Sequence, residues 1–380
     1  MLSWVSRCCS SSFRRFPDIS DTDDEGSSSS SNADPLVWRR GLDKHSSGEF
    51  SFAVVQANRV IEDYSQVEIG SNAFFVGVYD GHGGPDASQY VSNNLFQNLI
   101  SRAQDDGNIS EETIRSAFAA TEDGFMTVVR RGFEIKPMIA GVGSCVLVGV
   151  IWKGSLYVAN LGDSRAIIGY TTGSSNKINV EQLTSDHNAS REEIRRELIA
   201  AHPNDPRIIV NRGTWRVKDK IQISRSIGDA FLKRPEFRLD SSYPRFYVPE
   251  PITRPVLSAE PSVSSRVLQP TDKFLIFASD GLWENLTNEE AAEIVHRNPR
   301  NGIARKLVKA SVKEAIKKRG IEYKDLVKIG GGGRREYHDD ITVIVVFLDN
   351  ERVAAQELSY RGGFAEPTGP SNFRDIQELM

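Results

Sequence analysis

Seven apolar runs punctuate the chain between about residues 50 and 350. They are SFAVVQA (51–57), AFFVGVY (73–79), SCVLVGVIW (144–152), SLYVANL (155–161), RAIIGY (165–170), KFLIFAS (273–279) and ITVIVVFL (341–348). Their length and their β-branched and aromatic content predict strands. Lys153-Gly154, between two of them, reads as a tight hairpin turn. A helical period marks 86–103, 110–131, 190–201, 287–297 and 301–319. Ser190-x-x-Glu193 and Thr287-x-x-Glu290 have the spacing of capping boxes at helix starts. The strands come as a meander and the helices come in pairs, without strict alternation. That order predicts an α+β fold on antiparallel sheet and argues against a doubly wound nucleotide fold.

Composition narrows the picture. The 380 residues suffice for a large core, and a net charge of −4 gives no basic excess for nucleic acid. Of the three cysteines, Cys8 and Cys9 precede the apolar body, so no disulfide framework exists and a reducing compartment is expected. CVLVGVIW is too short to span a bilayer, and residues 1–15 lack a signal-peptide core. Residues 1–34, Ser-rich and acidic after a small basic start, are expected to be a disordered tail; 35–350 is the folded body and 351–380 a C-terminal tail. Asp21, Asp23, Glu25 and Gly26 imitate a calcium loop, but its twelfth position is Asn32, so calcium is rejected. The GGGG of 330–333 runs into Arg334 and makes no phosphate loop.

The chemistry lies where strands end. Asp80 follows FFVGVY, Asp163 follows SLYVANLG, Asp280 follows FLIFAS, and Asp339-Asp340 precede ITVIVVFL. One such aspartate is usually a turn former. Four from separate parts of the chain, brought together by neighbouring strands, would repel and lose solvation unless a cation sat among them. Oxygen ligands favour Mg²⁺ or Mn²⁺, and no His/Cys set has zinc spacing. Gly81 and Gly83 in DGHGG allow the backbone to approach an ion closely.

VYDGHGG, ANLGDSRAI, LTSDH, ISRSIGDAFLK, FASDGLW and HDDITVIVV occur in the order and spacing of the metal-dependent serine/threonine phosphatases of type 2C, over about residues 50–348. The stretches between resemble a plant subgroup. The resemblance implies two packed antiparallel sheets with helices on both outer faces. It implies two Mn²⁺ or Mg²⁺ ions and a weaker third, with a water bridging the first two attacking phosphorus. Asp80 would bridge both ions, the Gly81 carbonyl would bind one, and Asp280 and Asp339 would bind the other. Glu62, with Asp63 beside it, would hold metal-bound waters. Asp163 is a candidate for the third ion or a partner for Arg165. His82 would protonate the leaving alkoxide. Asp229 reads as a structural turn and Cys145 as a small core residue. His187 should hydrogen-bond locally, His338 should orient Asp339, and His45, His202 and His296 should be surface or loop residues. Segment 190–255 would be a flap bordering the site.

Three positions depart from the family pattern. Glu284 stands where many members have Asp, so it too is a candidate for the third ion. Asp340 stands where many have Asn. Asn58 stands where the phosphate-binding arginine usually lies. SFAVVQANRVIED reads as extended chain, so Asn58 and Glu62 should share a face, with Asn58 toward the phosphate and Arg59 away. The expected function is hydrolysis of phosphoserine and phosphothreonine in signalling proteins (kinases, receptors or membrane transporters) by an intracellular monomer in cytoplasm, nucleus or at the plasma membrane. A pseudophosphatase that binds a kinase or receptor is the second reading, and the intact acid set favours the enzyme.

Overall fold

The computed structural model describes residues 36–172, 177–349, 356–362, 367–368 and 371. The expectations for residues 1–34, with Cys8 and Cys9, fall outside them. Strands and helices are numbered in chain order. One antiparallel sheet runs β1 (Val37–His45), β2 (Gly48–Val55), β16 (Ile341–Phe347), β15 (Asp272–Ala278), β9 (Arg165–Thr171), β10 (Ile178–Gln182). The other runs β14 (Ser262–Val267), β8 (Ser155–Leu161), β7 (Val146–Trp152), β4 (Ala73–Tyr79), β3 (Tyr64–Ile69), β17 (Ser359–Arg361). The last strand falls inside the segment expected as a C-terminal tail; Tyr360 pairs with Val67 and is buried.

Alternation along each strand sorts its side chains into layers. Phe52 and Val54 of β2, Ile344 and Val346 of β16, and Phe74 and Val76 of β4 meet between the sheets. Ala53, Val55, Val343 and Val345 face outward, onto α6 (Asn288–Arg297) and α7 (Ile303–Arg319). Phe75, Val146 and Val148 face the opposite way, onto α1 (Asp86–Asp106) and α2 (Glu111–Gly132). Both sheets are thus buried on both faces, which is why their strands read as continuous apolar runs. A slip of one residue would exchange layers, so register is strongly set. The α+β fold with helices outside two packed antiparallel sheets is what the chain adopts.

Lys153 and Gly154 have φ of 50° and 80°, the left-handed pair that a two-residue hairpin requires. Thr287 and Glu290 form both halves of the expected capping box. Ser190 does not. The helix α3 (Glu192–Ala201) begins two residues later, and Glu193 turns to Arg191 at 3.0 Å. Among the described residues no helix is long and apolar enough to cross a membrane.

Two of the histidines expected as surface or loop residues are buried. His202 ends α3 and accepts from Arg254 Nε at 3.2 Å. His45 ends β1, bonds the Phe347 carbonyl through Nε2 at 3.0 Å, and lies 4.4 Å from the Phe74 ring. Burial pushes its pKa down to about 4. The folded chain therefore binds fewer protons than the unfolded one between about pH 4 and the model-peptide value near 6.5, and stability falls as pH falls through that window. Replacing His45 with Gln should weaken this dependence. Thermal melts at pH 7.5 and 5.5 are expected to differ less in His45→Gln, by on the order of 1 kcal/mol. Equal differences would show that His45 takes up its proton alike in the folded and unfolded chains.

Candidate active site

Strand register gathers the acids. Tyr64 pairs with Tyr79, Val78 with Leu147, and Val146 with Leu161. In the other sheet Ala278 pairs with both Val343 and Arg165, and Ile341 with Val55. The ends of β2, β4, β8 and β15 and the starts of β3, β9 and β16 therefore lie at one end of the sandwich. Glu62, Asp80, Asp163, Asp280 and Asp339 stand at these points and line one cavity of 470 Å³. Gly81 and His82 form a short strand, β5, paired with β6 (Gly143–Ser144). A Cβ on Gly81 would come within 2.4 Å of the Glu62 carbonyl, so only glycine lets these two segments touch.

Protein donors sort these carboxylates. Among the described residues none reaches Asp80 or Asp280. Asp163 accepts from Cys145 Sγ at 3.3 Å and Asn188 Nδ2 at 2.6 Å. It does not pair with Arg165, which grips Asp186 instead at 2.6 Å. Asp339 pairs with Arg335 at 2.6 Å. Asp63 points away from the cavity and takes Ser279 Oγ at 2.9 Å and Thr342 Oγ1 at 2.7 Å. Glu284 does not line the cavity, although its charge acts on Asp280.

Burial first, then mutual repulsion, pushes Asp80 and Asp280 well above the usual carboxylate range. Burial raises Asp339 to about 7 despite Arg335 beside it. Burial and the neighbouring carboxylates also keep the Cys145 thiol protonated, as a non-nucleophilic residue should be. Ligand atoms of Asp80, Asp163 and Cys145 lie within 4.8 Å of one another. Uncompensated oxygens at this density suit hard divalent ions such as Mg²⁺ or Mn²⁺.

His82 Nε2 lies 2.8 Å from Asp229 Oδ2, which also accepts from Ser226 Oγ at 2.6 Å. Burial works against the charged ring, but Asp229 outweighs it and raises the His82 pKa. Asp229, expected as a structural turn, does have left-handed backbone (φ 50°), yet its carboxylate belongs to the cavity wall. A Cβ on Gly143 would come within 2.3 Å of Asp229 Oδ2 and 2.4 Å of His82 Nε2, so that glycine makes room for the pair.

The chain is not extended through residue 63, as the sequence suggests it should be. β2 stops at Val55, and residues 56–63 form a loop, so strand alternation does not orient Asn58. Asp340 shapes the loop instead. Its Oδ1 accepts from Ala57 N and Asn58 N at 2.6 and 3.0 Å, and its Oδ2 from Asn58 Nδ2 and Glu62 N at 3.2 and 2.8 Å. Asn58 does line the cavity, while Arg59 is exposed and does not. His187 also reaches further than expected: its Nδ1 accepts from Gly162 N at 3.2 Å and its Nε2 pairs with Ser262 Oγ at 2.8 Å. His338 bonds the Asp339 carbonyl, not its carboxylate, at 2.6 Å.

The family model "Protein phosphatase 2C" matches residues 55–321, a span that includes Glu62, Asp80, Asp163 and Asp280. The chain belongs to the protein phosphatase 2C family. It is 56% identical to "Probable protein phosphatase 2C 43" of Oryza sativa subsp. japonica over the whole of both chains. It is 58% identical to "Probable protein phosphatase 2C 68" of Arabidopsis thaliana, covering 90% of this chain and 89% of that one. The fold is that of the serine-threonine phosphatase 2C crystal structure from Toxoplasma gondii, with a TM-score of 0.59 at 20% identity, covering 83% of this chain and all of that one. The phosphatase is thus a metal-dependent serine/threonine phosphatase by family, a hydrolase acting on phosphoproteins.

A test of the ligand set needs no turnover. In EDTA, Asp80→Asn should melt higher than the unsubstituted phosphatase at pH 7, because one repelling charge is gone. The gain should shrink toward pH 5: carboxylates with raised pKa values are progressively protonated there and stop repelling. Mn²⁺ should raise the melting point of the unsubstituted chain, by about 2.7 kcal/mol of stability at a hundredfold excess over its Kd, and should do little for the variant. An Asp80→Asn protein that gains as much from Mn²⁺ as its parent would remove Asp80 from the ligands.

Proposed function

We propose that the phosphatase hydrolyses phosphoserine and phosphothreonine directly, with Asp80, the Gly81 carbonyl, Asp280 and Asp339 holding two divalent ions. The convergence of these acids on the cavity that His82 also lines carries the reading. Two Mn²⁺ or Mg²⁺ ions in that set would supply an activated water and neutralise charge on the phosphoryl oxygens. Glu62 orients water at the rim of the set. Asp163 and Glu284, whose charges add to burial in raising the pKa of Asp280, are the candidates for a weaker third ion. Asp63 acts from behind, tying the two sheets together at Ser279 and Thr342.

His82 is the proton donor to the leaving alkoxide. Asp229 positions it and favours its charged form, with Oδ2 fixing one ring nitrogen and leaving the other for the substrate. Asn58 gives one amide hydrogen to Asp340 and keeps a second for a phosphoryl oxygen, a neutral contact weaker than a bidentate arginine. The enzyme acts as a monomer on kinases, receptors or membrane transporters, in the cytoplasm, the nucleus or beside the plasma membrane. Residues 35–350, together with the edge strand β17 (Ser359–Arg361), form its catalytic domain, with 190–255 as a flap.

His82→Ala should slow a phosphoserine peptide by about 10²-fold, the usual size of a general-acid contribution. p-Nitrophenyl phosphate should lose much less, because nitrophenolate departs without a proton. Equal losses on the two substrates would make His82 a structural residue. Iodoacetamide should leave turnover intact and EDTA should abolish it; the opposite pattern would point to thiol chemistry.

A further inference from the structure

The acids form only part of the cavity lining. Segment 190–255 carries fourteen Lys and Arg against nine Asp and Glu, in a chain whose net charge is −4. Several of these cations are neutralised locally: Arg196 by Glu192, Arg207 by Glu250, Arg212 by Asp219, Lys218 by Asp205, Arg225 by Glu197 and Lys233 by Glu122. Arg216, Lys220 and Arg245 differ. All three line the cavity. Among the described residues none of them has a carboxylate ion-pair partner.

They are also joined to one another. Arg216 sits in β12 (Trp215–Val217), paired with Val210 of β11 (Ile209–Asn211), and donates from Nη1 to the Lys220 carbonyl at 2.9 Å. Lys220 Nζ donates to the Pro244 carbonyl at 3.1 Å, next to Arg245, whose guanidinium lies 5.3 Å from the Phe246 ring centroid. Arg216 and Lys220 are half-buried. Burial lowers the Lys220 pKa, and Asp219 only partly offsets it. Half-buried cations bonded only to carbonyls are short of negative charge. The fourth cation of the cavity, Arg335, is already engaged by Asp339.

We propose that Arg216, Lys220 and Arg245 form a cationic subsite for a second anionic group, a carboxylate side chain or a second phosphate, flanking the phosphorylated residue of the substrate. This rests on the phosphatase reading and names its substrate class: phosphosites in acidic or multiply phosphorylated segments. The geometry separates two electrostatic tasks. The acids at the strand ends hold cations for the reacting phosphate, and the wall made by 216–245 holds the neighbouring anion. Charge-assisted contacts of this kind are strong enough to select among peptides that share the same phosphorylated residue.

The experiment measures kcat/KM in Mn²⁺ for three phosphothreonine peptides, with neutral flanks, with glutamate flanks and with an adjacent phosphoserine. Both anionic peptides should exceed the neutral one by tenfold or more (about 1.4 kcal/mol), chiefly through KM. The glutamate and phosphoserine arms tell which anion the subsite prefers. In the combined Arg216→Gln, Lys220→Gln, Arg245→Gln variant the ratio should collapse toward one. Single Lys220→Gln and Arg245→Gln variants should lower it by about threefold each, and Arg245→Lys should retain most of it. The singles keep the test alive if circular dichroism shows the triple variant misfolded. No preference in the unsubstituted chain, or a preference that survives in the folded variants, overturns the subsite. p-Nitrophenyl phosphate turnover by the unsubstituted chain is measured alongside. Its absence would fault the phosphatase reading instead.

Discussion

Asp80, Asp163, Asp280 and Asp339 share one cavity at the common end of two apolar sheets, and the rest of the site is arranged around their repulsion. Two unit charges at the 4.8 Å limit that spans Asp80 and Asp163 repel by about 3 kcal/mol at the effective dielectric of a protein surface. Several such pairs amount to a sizeable share of the stability of an ordinary domain. The fold tolerates the group because its order does not depend on it. The three apolar layers fix strand register without help from the cavity, so the acids are held together by the sheets and relieved by cations.

What separates a ligand from a scaffold carboxylate here is the supply of protein donors. Asp340 receives four hydrogen bonds and shapes the 57–62 loop. Asp63 receives two and joins the sheets. Asp229 is shared between Ser226 and His82. For Asp80 and Asp280 no donor is found among the described residues. A carboxylate whose oxygens are satisfied by N–H and O–H groups needs no ion; half-buried ones left without donors and crowded by other carboxylates are the ones a cation would relieve. The same residue type thus divides into cavity-facing and structural sets by surroundings that span hundreds of residues in sequence.

That division explains what could be read from the chain and what could not. The strands were legible because burial on both faces leaves long apolar runs, and the acids were legible because they interrupt those runs at their ends. β1, β3, β10 and β14 were not: β1, β10 and β14 flank the sheets with mixed polar and apolar side chains, and β3 buries Gln66 and Glu68 among its apolar residues. The His82–Asp229 pair bridges 147 positions, and no spacing rule reaches that far. The error at Asn58 came from treating the chain as extended to residue 63. Asp340 ends that extension by drawing in the backbone at 57, 58 and 62, and its role is visible only once β16 lies against β2. The unpaired cations of the wall were hidden for a similar reason: the sequence of 190–255 shows many charges but not which are already matched.

Asp339 and Asp340 show how two tasks become one mechanical unit. They are adjacent residues at the start of β16, so their side chains leave the backbone in different directions. Asp339 lines the cavity; Asp340 turns back and holds the loop that carries Asn58 and Glu62. The strand that follows is buried throughout and paired on both sides, by β2 and β15. Any shift of β16 therefore carries Asp339 together with Asn58 and Glu62, because Asp340 ties their loop to the start of the same strand. Their mutual spacing is thereby coupled, and it is mutual spacing, more than absolute position, that a group reacting within a cavity requires.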